Sequence, residues 1–214
     1  MTEKPMHMKL YYAPGACSFA SHCALEEVGH PYETQKLNLQ EGDQRKPEYL
    51  RINPRGRVPT LVDDGHPMTE NVGILTYLGG GHSHAGLWPE KTWDQAKLVS
   101  TLAWLSNTVH PSYTHVFRPE RFVDDESAKE AVKAKAKVMF QGYLEEIDRL
   151  LEGHKWVMGK QYTVADPYLL VFYRWANRQK MPVRELKNYS ALIDRVMARP
   201  AVQKVMADEG ITLD

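Results

Sequence analysis

A thiol and a hydroxyl stand side by side after a stretch that breaks regular structure, Pro14-Gly15. A cysteine is a nucleophile only as the thiolate, which the unpaired N–H groups of a helix N-terminus favour. Because a helical pattern starts at Cys17, we expect the helix to lower the pKa of its thiol. Ser18 could instead donate a hydrogen bond to a foreign thiolate. In the structural alternative, Ser18 is a helix N-cap and Cys17 a small buried residue.

The second cysteine, Cys23, follows the apolar spacing of the same helix, which favours a buried structural role. Two cysteines six residues apart on a helix point to different faces. We therefore expect no redox pair, zinc framework or disulfide scaffold. His82 and His84 lie in a glycine-rich stretch, and we expect no metal there.

The segment NPRGRVPTL at residues 53–61 places a proline at the start of a strand, where it cannot donate to the ladder. If the Val58–Pro59 bond is cis, the Val58 N–H and C=O are turned outward. A peptide-like ligand could then pair with them as an added strand. The alternative is an ordinary edge-strand proline.

A second helix start, at Thr69-Glu70-Asn71, combines two features that suit the α-amino-acid end of a ligand. The N–H groups of a helix N-terminus suit a carboxylate, and Glu70 suits an ammonium group. The alternative is that Glu70 only caps the helix.

A third group lies on one long predicted helix, where Asn107, His110 and Thr114 form a stripe opposite the apolar one. None carries a permanent charge, which favours a cleft wall over a solvated face, although a structural histidine is the alternative. Pro111 predicts a kink in this helix.

The elements that must position these residues change character along the chain. Strands and helices are expected in the order β-α-β-α-β-β-α, with strands at 9–12, 32–39, 58–62 and 66–68 and helices at 17–28, 43–52 and 70–78. The glycines at 79–81 are expected to end the last of these helices.

From Pro89 onward the apolar residues recur every three or four positions, as in helices. Residues 168–175 are apolar nearly all round, which indicates a central buried helix preceded by a capping box at Thr163 and Asp166. We therefore expect an α/β domain over 1–81, a linker over 82–88 and an all-α domain over 89–214.

Composition narrows the class of protein. The 214 residues are 43% hydrophobic, and 27 basic residues balance 27 acidic ones. Charge balance disfavours nucleic-acid binding. No apolar run approaches the ~20 residues that span a bilayer, and the segment MTEKPMHMKL has no signal-peptide character. We expect a cytoplasmic protein that does not associate with membranes.

Six segments together resemble the glutathione S-transferase family, and most of all its bacterial beta class. They are YYAPGACSFASH, NPRGRVPTLVDDG, TENVGILTYL, WLSNTVHPSYTHVFRPE, YTVADPYLLVFYRWA and RPAVQKVMADEG. The resemblance implies a thioredoxin-like N-terminal domain, an all-helical C-terminal domain with the hydrophobic substrate site, and a homodimer. It also implies that glutathione binds between the domains as the co-substrate.

The resemblance also implies roles for single residues. Cys17 matches a cysteine that contacts the glutathione sulfur and can form a mixed disulfide with it, and His110 matches a histidine near that thiol. The expected catalytic residues are Cys17, His110 and Ser18. The expected glutathione-binding residues are Tyr12, Ala16, Arg57, Val58, Pro59, Glu70, Asn71 and Asn107.

Three positions depart from the family pattern. Asn71 replaces a serine or other small residue, and Pro111 replaces a lysine. The loop at 40–42 lacks the lysine that reaches the glycine end of glutathione, for which Arg45 or Lys46 could substitute.

We expect a transferase that conjugates or exchanges the glutathione thiol with small hydrophobic electrophiles, in detoxification. One alternative is a thiol transferase or disulfide reductase that works through a Cys17 mixed disulfide. Another is a protein that binds hydrophobic ligands without turnover.

Overall fold

The structure is a computed structural model that describes residues 7–214. The first six residues of the expected N-terminal domain, which include most of the segment examined for a signal peptide, lie outside the described residues. The N-terminal domain contains β1 (Met8–Tyr12), α1 (Ser18–Val28), β2 (Tyr32–Lys36), α2 (Pro47–Leu50), β3 (Thr60–Asp63), β4 (His66–Thr69) and α3 (Asn71–Gly81).

The sheet has the strand order β2-β1-β3-β4, with β1 parallel to β2 and antiparallel pairs at β1–β3 and β3–β4. The order of strands and helices along the chain, β-α-β-α-β-β-α, and the antiparallel return of β4 are as expected from the sequence. Turn residues account for it: Gly29 ends α1 with φ 76°, and Asp64 and Gly65 join β3 to β4 with φ 47° and 83°. The sheet and α1 bring the Pro14-Gly15 turn, Val58 and the start of α3 together.

The helix end expected in the glycine stretch is confirmed, although α3 runs three residues beyond Leu78 and ends at Gly81. Tertiary packing explains the first of these glycines. A Cβ atom at Gly79 would stand 2.8 Å from the Trp88 ring and 3.0 Å from Val164. Gly79 therefore lets α3 approach the helical domain closely. The domain boundaries at 81 and 89 stay a prediction.

The C-terminal domain consists of α4 (Thr92–Trp104), α5 (His110–Phe117), α6 (Glu126–Leu150), α7 (Asp166–Arg178), α8 (Lys187–Met197) and α9 (Pro200–Glu209). The expected central helix is confirmed, since residues 166–176 of α7 are all buried. No helix among residues 7–214 has both the length and the apolarity to cross a bilayer.

The capping box before α7 forms in part. The Asp166 carboxylate accepts from the Thr163 N–H at 2.7 Å, as expected. The Asp166 N–H, however, donates to the Thr163 carbonyl, and the Thr163 hydroxyl accepts from Ala165 instead. Thr163 therefore pairs with Asp166 through its own backbone N–H and carbonyl, and its hydroxyl does not accept from the Asp166 N–H.

The kink expected near Pro111 takes the form of a π-helical turn, Leu105–Val109, between α4 and α5. The His110 N–H reaches back five residues to the Leu105 carbonyl. Proline has no N–H to continue the regular ladder, so a wider turn before it is a natural adjustment. This turn sets which side chains of the segment face the N-terminal domain.

Candidate active site

The Pro14-Gly15 turn, which precedes Cys17, is held by the far end of the chain. The Gly15 N–H donates to the Glu209 carboxylate at 2.8 Å, and the Trp175 indole donates to the Gly15 carbonyl at 2.9 Å. Gly15 has φ 66°, and a Cβ atom there would lie 2.3 Å from the Arg174 guanidinium. Only glycine fits this turn, and α7 and α9 fix its position.

Glu209 is itself held by a buried partner. Its second carboxylate oxygen lies 2.9 Å from His22 Nδ1, and both side chains are almost completely buried. A buried carboxylate needs such partners, because isolated burial of its charge is costly. The pair joins α9 to α1 directly beneath the turn.

Cys17 lies at the N-terminus of α1, as expected, and its free thiol is half-buried. Its Sγ–H donates to the Val58 carbonyl at 3.5 Å. Burial raises the pKa of Cys17 to about 12, and the Glu70 charge adds to this, while the Cys17 and Ser18 N–H groups and Arg57 oppose it.

The expectation that the helix N-terminus would lower this pKa is therefore wrong for the protein without a ligand. Burial outweighs the two N–H groups, because a thiolate gives up more hydration than they return. At neutral pH, Cys17 is a protonated thiol that donates to Val58.

Ser18 does not face a ligand site. Its hydroxyl is fully buried, donates to the Ala13 carbonyl at 3.2 Å and accepts from the Ala13 N–H at 3.2 Å. These contacts close the turn and leave Ser18 no open side from which to activate a foreign thiol. The structure thus supports a structural role for Ser18. That role is to close the turn, and not to cap the helix as an N-cap.

The Val58–Pro59 peptide bond is cis, the condition set in the sequence analysis. Two buried side chains that the sequence analysis missed, Tyr49 and Asn53, hold the loop that precedes this bond. The Arg57 carbonyl accepts from the Tyr49 hydroxyl and from Asn53 Nδ2, the latter at 2.8 Å. The loop therefore enters the site from a fixed direction, with the Arg57 side chain exposed at its surface.

Glu70 and Asn71 begin α3 beside Cys17. Glu70 is exposed and has φ 70° and ψ 125°, a conformation that costs a non-glycine residue roughly 1–3 kcal/mol. Such strain is found mainly where function requires it. The Asn71 amide is already engaged, since it donates to the Cys17 carbonyl at 2.9 Å and accepts from Ser21 at 2.6 Å. Of the two side chains, Glu70 is the one open to a ligand.

The helical domain contributes His110, at the start of α5. Burial, reinforced by the Arg57 charge, lowers the pKa of His110 to about 4, so the imidazole is neutral at pH 7. Its Nδ1 lies 3.3 Å from the Tyr168 hydroxyl. Within residues 7–214 the other ring nitrogen has no hydrogen-bond partner, so it can serve a ligand.

Tyr168 is the main site residue that sequence reasoning missed. Burial raises its pKa, the Cys17 charge adds to this, and hydrogen bonding with Asn71 and Ser106 opposes it. Tyr168 thus lies among residues of both domains. The sequence placed it on a buried helix, but only the fold shows that its hydroxyl end reaches the site.

The remaining candidates are placed as follows. Asn107 is exposed on the π-helical turn, whereas its neighbour Ser106 turns toward Tyr168. Tyr12 is almost fully buried, with its ring 5.1 Å from that of His22. Ala16 lies in the turn itself, where its N–H donates to the Ala13 carbonyl. Cys23 is fully buried.

The site therefore unites Cys17, Val58, Glu70 and Arg57 of the N-terminal domain with His110 and Tyr168 of the helical domain. Among residues 7–214, no three histidine, cysteine or acidic side chains are grouped so as to hold a metal ion.

Comparison with known proteins agrees with this architecture. The family model for the glutathione S-transferase N-terminal domain matches residues 6–80, and that for the C-terminal domain matches residues 104–200. Glutathione S-transferase GstA of Escherichia coli O157:H7 is 32% identical over 95% of this chain and 100% of its own.

Solved structures agree as well. A glutathione transferase homologue from sulfitobacter, with bound glutathione, superimposes with a TM-score of 0.90 at 28% identity, covering 96% of this chain and 99% of its own. The bacterial beta class enzyme of Sphingomonas chungbukensis gives 0.84 at 31% identity, over 95% and 100%. The chain belongs to the glutathione S-transferase family, and the family and fold expected from its sequence are confirmed.

Proposed function

We propose that this protein transfers the thiol of glutathione to small hydrophobic electrophiles. The observation that carries the proposal is the joint placement of Glu70, the Val58 backbone before its cis bond and Cys17. An ammonium group at Glu70, a peptide strand along Val58 and a sulfur at Cys17 describe a ligand with the chemistry of glutathione. The sulfitobacter homologue, with its bound glutathione, supports this reading.

Val58 and Cys17 suggest how binding and chemistry are linked. The Val58 carbonyl accepts from the Cys17 thiol in the free protein. A glutathione backbone that pairs with the same carbonyl competes with that thiol. Binding then releases the Cys17 Sγ–H to donate to the glutathione sulfur, which it stabilises as a thiolate.

His110 supports the same sulfur from the opposite domain. With a pKa of about 4, its imidazole is a weak base but an effective neutral hydrogen-bond donor. The Arg57 charge, which acts on both Cys17 and His110, favours a negative sulfur between them. The glutathione thiol thus loses its proton to solvent, and its sulfur attacks the electrophile.

A thiol transferase or disulfide reductase is the second candidate. Cys17 favours it, because its thiol is free and half-buried whereas Cys23 is fully buried. A Cys17→Ala variant separates the two functions: a reductase loses its activity, while conjugation keeps the support of His110 and Arg57. A non-catalytic binding protein is the third candidate, and absence of turnover with a panel of electrophiles would favour it.

Calorimetry tests glutathione binding itself. Removal of a charged hydrogen-bond partner costs ~1.5–3 kcal/mol, so Glu70→Ala should weaken glutathione binding at least tenfold. Glu152→Ala, which removes an exposed carboxylate from the helical domain, is the matched control. Equal glutathione affinities of the wild type and Glu70→Ala would refute the binding of the glutathione ammonium group by Glu70.

The remaining expectations belong to the same proposal: a cytoplasmic homodimer of bacterial type, active in detoxification and without a metal cofactor. The likeness to bacterial enzymes along the whole chain supports it. Light scattering should give twice the mass of the 24.5 kDa chain at micromolar concentration. A mass of one chain would remove the dimer from the proposal.

A further inference from the structure

The carbonyl of Arg57, the residue before Val58, is held by two buried donors. It accepts from the Tyr49 hydroxyl and, at 2.8 Å, from Asn53 Nδ2. Tyr49 is 4% exposed and Asn53 is 1% exposed. The two donors are also fixed to each other, because the Asn53 N–H donates to the Tyr49 carbonyl at 2.8 Å. The Arg57 carbonyl therefore points toward the buried side of its loop.

Thr60 completes this network and fixes the order of its protons. The Thr60 hydroxyl is fully buried, lies 2.8 Å from the Tyr49 hydroxyl and accepts from Asn53 Nδ2 at 3.0 Å. A tyrosine hydroxyl has one proton, and a backbone carbonyl has none. Because the Tyr49 proton goes to the Arg57 carbonyl, the Thr60 hydroxyl must donate to the Tyr49 oxygen. Every proton of the two hydroxyls and of the Asn53 amide is then used inside the network.

A fixed Arg57 carbonyl also fixes the Val58 N–H, because both belong to one planar peptide unit. The Arg57–Val58 bond is trans, since Val58–Pro59 is the only cis bond within residues 7–214. In a trans unit the C=O and the N–H point in opposite directions. The Val58 N–H therefore points away from Tyr49 and Asn53.

The Val58 N–H is an open donor beside the thiol of Cys17. In the part of the chain that the structure describes, this N–H has no hydrogen-bond acceptor, although Val58 is half-buried. The carbonyl of Val58 lies 3.5 Å from the Cys17 sulfur. Backbone donors at such places are normally paired, so this one is suited to an acceptor on a ligand. In glutathione, the acceptor nearest to the sulfur is the carbonyl of the cysteinyl residue.

We propose that Tyr49 is a positioning residue for glutathione, because its hydroxyl aims the Val58 N–H at the cysteinyl carbonyl of the ligand. This inference rests on the proposed glutathione site and deepens it. Tyr49 acts through the Arg57–Val58 peptide unit and does not itself touch the ligand. Without the Tyr49 hydroxyl, only Asn53 holds the Arg57 carbonyl, and the peptide unit is free to tilt. A tilted N–H makes a longer and weaker hydrogen bond to glutathione.

The test compares Tyr49→Phe with Tyr189→Phe as a matched control. Each variant removes a buried tyrosine hydroxyl that donates to a backbone carbonyl, since Tyr189 is fully buried and donates to the Leu169 carbonyl at 2.7 Å. Calorimetry measures the Kd for glutathione, and thermal unfolding measures Tm. Tyr49→Phe should raise the glutathione Kd at least threefold. Tyr189→Phe should lower Tm by a similar amount but change the glutathione Kd less than twofold.

Two further ligands locate the effect at the cysteinyl carbonyl. γ-Glutamylcysteinamide keeps this carbonyl, γ-glutamylcysteamine lacks it, and neither contains glycine. The wild type should bind the cysteinamide more tightly, and Tyr49→Phe should reduce this preference at least threefold. Thr60→Val, which removes the hydrogen bond to the Tyr49 oxygen, should reduce the preference in the same direction. Thr60→Ser keeps the hydroxyl and should retain the preference of the wild type.

Equal losses of affinity for the two ligands in Tyr49→Phe would overturn the inference, because the hydroxyl would then support the site only as a whole. An unchanged glutathione Kd in Tyr49→Phe, or an equal rise in Tyr189→Phe, would overturn it as well. If the wild type binds glutathione but conjugates no electrophile, the transferase function fails alone, and the binding measurements still decide the inference. If the wild type binds no glutathione, both fail.

Discussion

The thiol of Cys17 should be unreactive in the glutathione-free protein at neutral pH. Burial raises its pKa from the ordinary 9.0 to about 12. At pH 8, about one-tenth of an ordinary thiol is ionised, against about one ten-thousandth with the raised value. Part of the Cys17 surface is open to a reagent, so the lower ionised fraction is what should slow the reaction. We expect alkylation of Cys17 to be at least a hundredfold slower in the folded protein than in the unfolded chain.

The assay is alkylation by iodoacetamide, an uncharged reagent, followed by peptide mass analysis at Cys17 between pH 7 and 10. The same peptide in urea-unfolded protein is the reference. In the folded protein the rate should still rise about tenfold per pH unit at pH 10, whereas the unfolded rate levels off near pH 9. The slope separates a raised pKa from poor access, which would slow the reaction equally at every pH.

Two variants test the charges near the thiol. Glu70→Gln should lower the pKa of Cys17 and Arg57→Gln should raise it, because the carboxylate opposes the thiolate and the guanidinium supports it. A folded protein whose alkylation rate reaches its plateau below pH 9 would refute the reasoning and restore the dominance of the helix N-terminus.

The remaining predictions concern three other contacts. Oxidised glutathione at pH 9 should leave one adduct, on Cys17 and not on the buried Cys23, as intact-mass and peptide analysis would show; an adduct on Cys23 alone would contradict this. Glu209→Ala should destabilise the fold by about 3 kcal/mol, since it strips the buried His22 of its partner, and lower Tm by roughly 6–12 °C in calorimetry. Asp208→Ala, at an exposed carboxylate, is its control, and equal Tm values for the two variants would count against the stabilising role of the Glu209–His22 pair. Tyr168→Phe should lower kcat at least threefold, with the glutathione Kd changed less than twofold, because the phenol orients His110; an unchanged kcat in steady-state kinetics would remove that role.

The sequence by itself determined the elements and several residues of the site. Gly29 ends α1 and Asp64-Gly65 joins β3 to β4, because positive φ favours those residue types wherever they stand in a chain. A proline at the start of a strand likewise indicated the special bond at Val58–Pro59. The distribution of apolar residues indicated the buried helix α7. Such signals depend on neighbours within a few residues, so they can be read without the fold.

Only the tertiary structure decided what the site residues can do. The Cys17 thiol meets Val58 across 41 positions, and the turn before it is held by Glu209 across 194. Burial overrode the helix N-terminus at Cys17, and the π-helical turn brought Ser106 instead of Asn107 toward Tyr168. Ionisation depends on solvent exclusion and on charges from distant segments, and the packing of both domains sets these quantities.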